Sequence, residues 1–117
     1  MSPLRSWWTE DKAKTQRYFN TILKREGEAP IECTAEIASQ IVLRHLQANS
    51  MLTIIPLQDW LATDDRLKRP DAEAERINVP ADPHHYWRYR MHLSIEQLLQ
   101  ADEWNTRIRE LIQSAGR

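Results

Sequence analysis

Residues 51–55 read Met-Leu-Thr-Ile-Ile, nearly all apolar and β-branched towards the end, and no other run in the 117 residues matches them. Bounded by Asn49-Ser50 and Pro56, this run predicts a short strand at 52–55 covered on both faces, as in the parallel sheet of an α/β protein. A strand of that kind carries backbone donors and acceptors along both edges, and each needs a partner. The rest of the chain reads as helix and loop, so the partners must come from elsewhere. The expected fold class is mainly α with one or two short strands, forming part of something larger.

The helical stretches are legible from spacing and punctuation. Tyr18, Phe19, Ile22 and Leu23 predict a buried stripe on a helix over residues 10–25, stopped by Gly27. Thr34 is a candidate N-cap for a helix over 35–48, with Ile37, Ile41 and Leu46 inward and Arg44 and Gln47 outward. Pro56 can start a short helix through Leu61. Ser94 with Gln97 is a capping-box pattern for a helix beginning near Ile95. A last helix uses Trp104, Ile108, Leu111 and Ile112, with Gly116 as its cap. Residues 63–83 are polar and hold Pro70, Pro80 and Pro83, which reads as an ordered loop or a connector.

Charge and cysteine content remove several function classes. Sixteen basic and 17 acidic residues give a net charge of -1, without the cationic surplus that non-specific nucleic-acid binding needs. No apolar run approaches the roughly 18 residues of a membrane span. The N-terminus lacks an apolar stretch of signal-peptide length. Cys33 is the single cysteine, which excludes an internal disulfide. A cytoplasmic setting fits all of this. Five tryptophans are many for this length. They serve either as core, or as rings that cover the C–H face of a hexose.

Three blocks carry candidate chemistry. In Pro56-Leu57-Gln58-Asp59-Trp60, the residues follow the C-terminal end of the expected strand, which is the active-site face in a (β/α)8 barrel. Asp59 and Gln58 could there bond a polyhydroxylated ligand, or Asp59 could cap a helix. In Arg76-Ile77-Asn78-Val79-Pro80, the Asn78 amide offers a donor and an acceptor to paired sugar hydroxyls, or stabilises a turn. The third block runs from His84 to His92 and interleaves aromatics with arginines, which predicts a cation–π cluster. Its histidines lack a familiar ligand spacing, so neither a metal nor a cofactor is expected. The remaining carboxylates, Asp64-Asp65, Glu73, Glu75 and Asp102-Glu103, lie in polar stretches and form no convincing acid/base pair.

In their order, residues 50–60, 76–80 and 85–92 resemble the C-terminal end of the 4-α-glucanotransferases, glycoside hydrolase family 77, and the likeness runs from Leu4 to Arg117. The resemblance implies a (β/α)8 barrel in which residues 52–55 are the eighth strand. It implies transfer of α-1,4-glucan segments between sugars by a retaining double displacement. Asp59 and Asn78 are implied to face the glucan cleft, Asn78 with more weight, and Gln58 less so. In the family, a Thr-His-Asp motif stands just before the segment resembling residues 2–8, and the nucleophile and acid/base lie further upstream. No catalytic residue is therefore expected among residues 1–117, which form a C-terminal fragment of the barrel; a complete barrel takes about 250 residues. The implied partners are an α-1,4-glucan or maltose and an N-terminal part of the enzyme, and the chain is expected to self-associate when alone. The rival expectation is a non-catalytic glucan-binding or assembly module.

Overall fold

An unpredicted helix precedes the first predicted one, and an aspartate separates the two. The computed structural model describes residues 3–117, and in it α1 (Leu4–Glu10) gives way to α2 (Lys12–Thr21) at Asp11. Asp11 has extended backbone angles, and its carboxylate accepts from the Lys14 N–H at 3.0 Å. A side chain that caps a new helix ends the old one. The periodicity missed α1 because Leu4, Arg5, Ser6 and Trp8 are all buried, leaving no apolar stripe on its seven residues. At the other end, α2 stops a turn short of Arg25. Lys24 takes the left-handed conformation there, with φ 54°, before Gly27 is reached at φ 87°.

Helix α3 (Ala35–Leu46) follows expectation. Thr34 caps it through the Ile37 N–H at 3.3 Å, and Ile37, Ile41 and Leu46 are buried while Arg44 and Gln47 are exposed. Its inner face meets α1, α2 and the end of α4 (Leu57–Leu61). Together they build one core from Leu4, Trp8, Phe19, Cys33, Ile37, Ala38, Ile41 and Ala62. Trp7 packs edge-on against Tyr18 with ring centres 5.3 Å apart, and the Trp8 indole N–H donates to the Pro30 carbonyl at 2.9 Å. Burial removes water from the Cys33 thiol and pushes its pKa up to about 12, so it is a packing residue rather than a nucleophile.

The predicted strand is absent: no strand occurs among the described residues, and residues 52–55 have no regular structure. Leu52 is 71% and Ile54 83% exposed. The physical reason is the one that made the run unusual. A strand forms only against another strand, and this chain supplies none.

The C-terminal third is joined by polar contacts. A one-turn 3-10 helix (Glu73–Glu75) interrupts the long loop, followed by α5 (Ile95–Leu99) and α6 (Asp102–Ser114). The Ser94–Gln97 capping box forms in both directions, at 3.2 and 2.8 Å. The Trp104 indole N–H donates to Thr63 Oγ1 at 3.2 Å, and Arg107 donates to Asp64 at 2.6 Å, docking α6 on the start of the loop. Gly116, at φ 76°, closes α6 with Gly116 N–H on Gln113 O and Arg117 N–H on Ile112 O, the paired bonds of a Schellman cap. That turn aims the Arg117 side chain at the carbonyls of Leu46, Ala48 and Ser50, filling the acceptors left open at the end of α3.

Candidate functional site

Asp59 stands in the first turn of α4, but its side chain serves a different helix. Its carboxylate accepts from the Leu4 N–H at 2.8 Å and so supplies the first donor of α1 with a partner. Burial raises its pKa, opposed by that backbone bond and by the nearby His45. Asp59 and His45 are the polar members of a cleft of about 400 Å³, otherwise lined by apolar and aromatic side chains including Trp7, Tyr18, Ile41 and Ile55. Gln58, next in the chain, is buried.

Asn78 lies elsewhere. It is exposed on the loop after the 3-10 turn, and it does not line the cleft that Asp59 lines. Its neighbour Ile77 is tied down by the ring of His85, whose Nε2 lies 2.9 Å from the Ile77 carbonyl. Further ties follow along the same segment. Arg69 donates to the Arg90 carbonyl at 3.0 Å, and His92 Nε2 lies 2.8 Å from the Leu67 carbonyl. The expected cation–π contacts are present: Arg88 sits over Tyr86 at 5.3 Å and Arg69 over Tyr89 at 5.9 Å.

The polar centre that sequence reasoning missed is Arg5 with Glu75. The guanidinium of Arg5 donates to Glu75 Oε1 at 2.8 Å and also to the carbonyl of Arg69, with a longer bond to Pro70 O at 3.4 Å. Ser6 Oγ adds a bond to Ala72 O at 3.3 Å. Glu75 is only 2% exposed. Its pKa is raised by burial, held back by Arg5, and pushed further up by the Asp59 charge. A glutamate in a polar stretch reads as solvated, and only the fold brings Arg5 to it across 70 positions.

The chemistry of these groups is restricted. Glu75 is occupied by Arg5, Asp59 by the Leu4 N–H, and Asp64 by Arg66 and Arg107. A retaining glycosidic pair needs two carboxyl groups about 5–5.5 Å apart with room for a sugar between them. Carboxylates engaged in this way hold structure, and Asp59 among them also lines the apolar cleft. Among the described residues there is no group of three or more His, Cys, Asp or Glu able to hold a metal ion, and no helix long and apolar enough to cross a membrane.

Comparison with known proteins places these features in one lineage. Residues 1–95 match the model of glycoside hydrolase family 77, described as 4-alpha-glucanotransferase. Over 116 residues, 99% of this chain, the sequence is 42% identical to the 4-alpha-glucanotransferase DPE2 of Oryza sativa subsp. japonica. The chain spans 12% of that protein's length. No solved structure matches the chain. The matched region takes in the blocks around Asp59 and Asn78 and the whole aromatic segment after them, and on this ground the chain belongs to the 4-α-glucanotransferase family.

Proposed function

We infer that these residues form the C-terminal part of a (β/α)8 glucanotransferase barrel, in an enzyme that moves α-1,4-glucan segments from one sugar to another. The observation that carries this is the 42% identity running through almost the whole chain. In this reading, residues 52–55 become a strand once neighbouring strands are present, which accounts for an apolar run with no cover of its own. Asn78 and Asp59, with Gln58 beside it, face the glucan. The chain alone is inactive, because covalent glycosyl transfer needs a carboxylate nucleophile and an acid/base partner that would come from the rest of the barrel. Maltose or starch-derived glucan is the proposed substrate, and the setting is the cytoplasm. Alone, two copies cover each other's exposed apolar residues, most simply as a two-fold dimer.

The test is a graft. This chain replaces the matching 12% of the rice protein, and the hybrid is incubated with maltotriose. Longer and shorter glucans are expected from the hybrid and none from the 117-residue chain. An inactive but folded hybrid, or turnover that follows the isolated chain through purification, overturns the reading. One observation favours a second reading, a non-catalytic glucan-binding or assembly module. The chain packs a core of its own around Trp8, Phe19, Ile37 and Ile41, as a module that folds independently must.

A further inference from the structure

The apolar run that lacks a partner strand is not left loose. Helix α3 ends at Leu46, and the run begins at Met51. The last carbonyls of a helix have no partner within it. Here one guanidinium takes three carbonyls of the connecting stretch. Arg117 donates through Nε to Leu46 O at 2.6 Å, and through one terminal nitrogen to Ala48 O at 2.9 Å and Ser50 O at 2.6 Å. We propose that Arg117 is a positioning residue of the glucanotransferase: by holding these carbonyls it fixes residues 51–55 where a β-strand from the rest of the enzyme adds to them.

Three observations carry it. The clamp is itself held, because the Arg117 N–H bonds to Ile112 O at 3.2 Å and α6 is docked through Trp104 and Arg107. The run is also pinned beyond the clamp. Thr53 Oγ1 donates to His45 O at 3.4 Å, and the Pro56 carbonyl accepts from the Asp59 and Trp60 N–H groups at 3.0 and 3.2 Å as α4 begins. Finally, burial alternates along the run: Leu52 and Ile54 are exposed, Thr53 and Ile55 half-buried. A period of two is what a strand shows with one face against the protein, and it is present here before any strand has paired.

Arginine suits this task. Its planar fork of five donors holds several acceptors in one geometry, which an ammonium on a flexible stem does not. Its charge also stands at the negative end of α3. What remains open is backbone: among the described residues, no N–H or C=O of residues 51–55 makes a backbone hydrogen bond. A row of that kind takes another strand, through main-chain bonds. The chain spans 12% of its rice relative, so most of such an enzyme lies outside it and has strands to give. The occupant rests on the glucanotransferase reading; the clamp rests on the geometry.

The experiment places Arg117→Ala and Arg117→Lys in the 117-residue protein and in its hybrid with the rice enzyme. NMR relaxation is measured on the 117-residue protein at a concentration where light scattering reports a monomer. Residues 49–54 should be ordered in the parent and fall below an order parameter of about 0.6 in Arg117→Ala, while α6 stays near about 0.85. In the hybrid, Arg117→Ala should lower kcat on maltotriose about tenfold, because a displaced strand misplaces the groups around the reaction. KM should stay within about twofold, since Asp59 keeps its own anchor on the Leu4 N–H. Arg117→Lys, which keeps the charge without the fork, should lie between parent and Arg117→Ala in both measurements, and it carries the same readings where the alanine variant does not fold. Unchanged order at residues 49–54 overturns the clamp. A lower melting temperature with unchanged kcat makes Arg117 a helix cap alone, which overturns the positioning role and leaves the glucanotransferase reading intact. An inactive parent hybrid overturns that reading and the strand partner with it.

Discussion

The N-terminal helices and the loop that follows α4 are held by opposite means. Around α1, α2 and α3 the interior is apolar, with Trp8, Phe19, Ile37, Ala38 and Ile41 packed together. From residue 63 to residue 92 the buried groups are Thr63, Asp64 and Glu75, and the ties are hydrogen bonds and ion pairs to Arg5, Arg66, Arg107 and His92. Apolar packing is non-directional and tolerates many arrangements of roughly the right volume. Directional bonds between charged groups accept few arrangements. A long loop without regular structure therefore gains from polar ties, which contribute little net stability for their number but select one geometry.

The first way to break this comparison is Trp8→Ala. It removes a large, fully buried side chain and its bond to Pro30, so a loss of about 3–5 kcal/mol is expected. Chemical denaturation should show the whole chain losing cooperativity, because both regions rest on α1. An intact transition for one region would show that they fold separately.

Glu75→Gln sharpens it. The amide keeps the shape but leaves the Arg5 cation buried without its counter-charge, at an expected loss of about 3 kcal/mol. The paired change Arg5→Met with Glu75→Leu should recover most of that stability. It should still leave residues 67–78 faster in hydrogen exchange than in the parent, while α3 stays protected. Equal protection of that loop in the double variant would mean that the ion pair adds no geometric specificity.

The smallest effect is in acid. Arg66 and Arg107, bonded to a carboxylate that is 4% exposed, hold the Asp64 pKa down to about 2. A carboxyl with a lowered folded pKa contributes its stability above the unfolded value near 4 and loses it as pH falls towards the folded value. The difference corresponds to about 2 kcal/mol, lost between about pH 5 and pH 2. Urea melts of the parent and of Asp64→Asn across that range should converge at the acid end. A constant gap between the two would remove Asp64 from the acid response.

How far the sequence reached follows the same division. Helix α3, the Ser94 capping box, α6 and its Gly116 cap were all legible, because each depends on residues within a turn or two of one another. The break at Asp11 was not legible, since α1 is buried on nearly every side and shows no stripe. Of the candidate site residues, Asp59 was singled out but its partner, the Leu4 N–H, lies 55 positions away. Glu75 read as solvated for the same reason, with its cation 70 positions distant.

By itself, the sequence determined the helices that local spacing and caps specify, the family, and the presence of an apolar run at 51–55 that this chain cannot pair. Tertiary structure alone decided which charges are buried, where the helix boundaries fall under packing, and that the run at 51–55 lies uncovered among the described residues. Helical bonds join residues a few positions apart and leave their pattern in the sequence. Strand pairing and buried ion pairs join residues that only the completed fold brings together, and a single chain read in order carries no record of that distance.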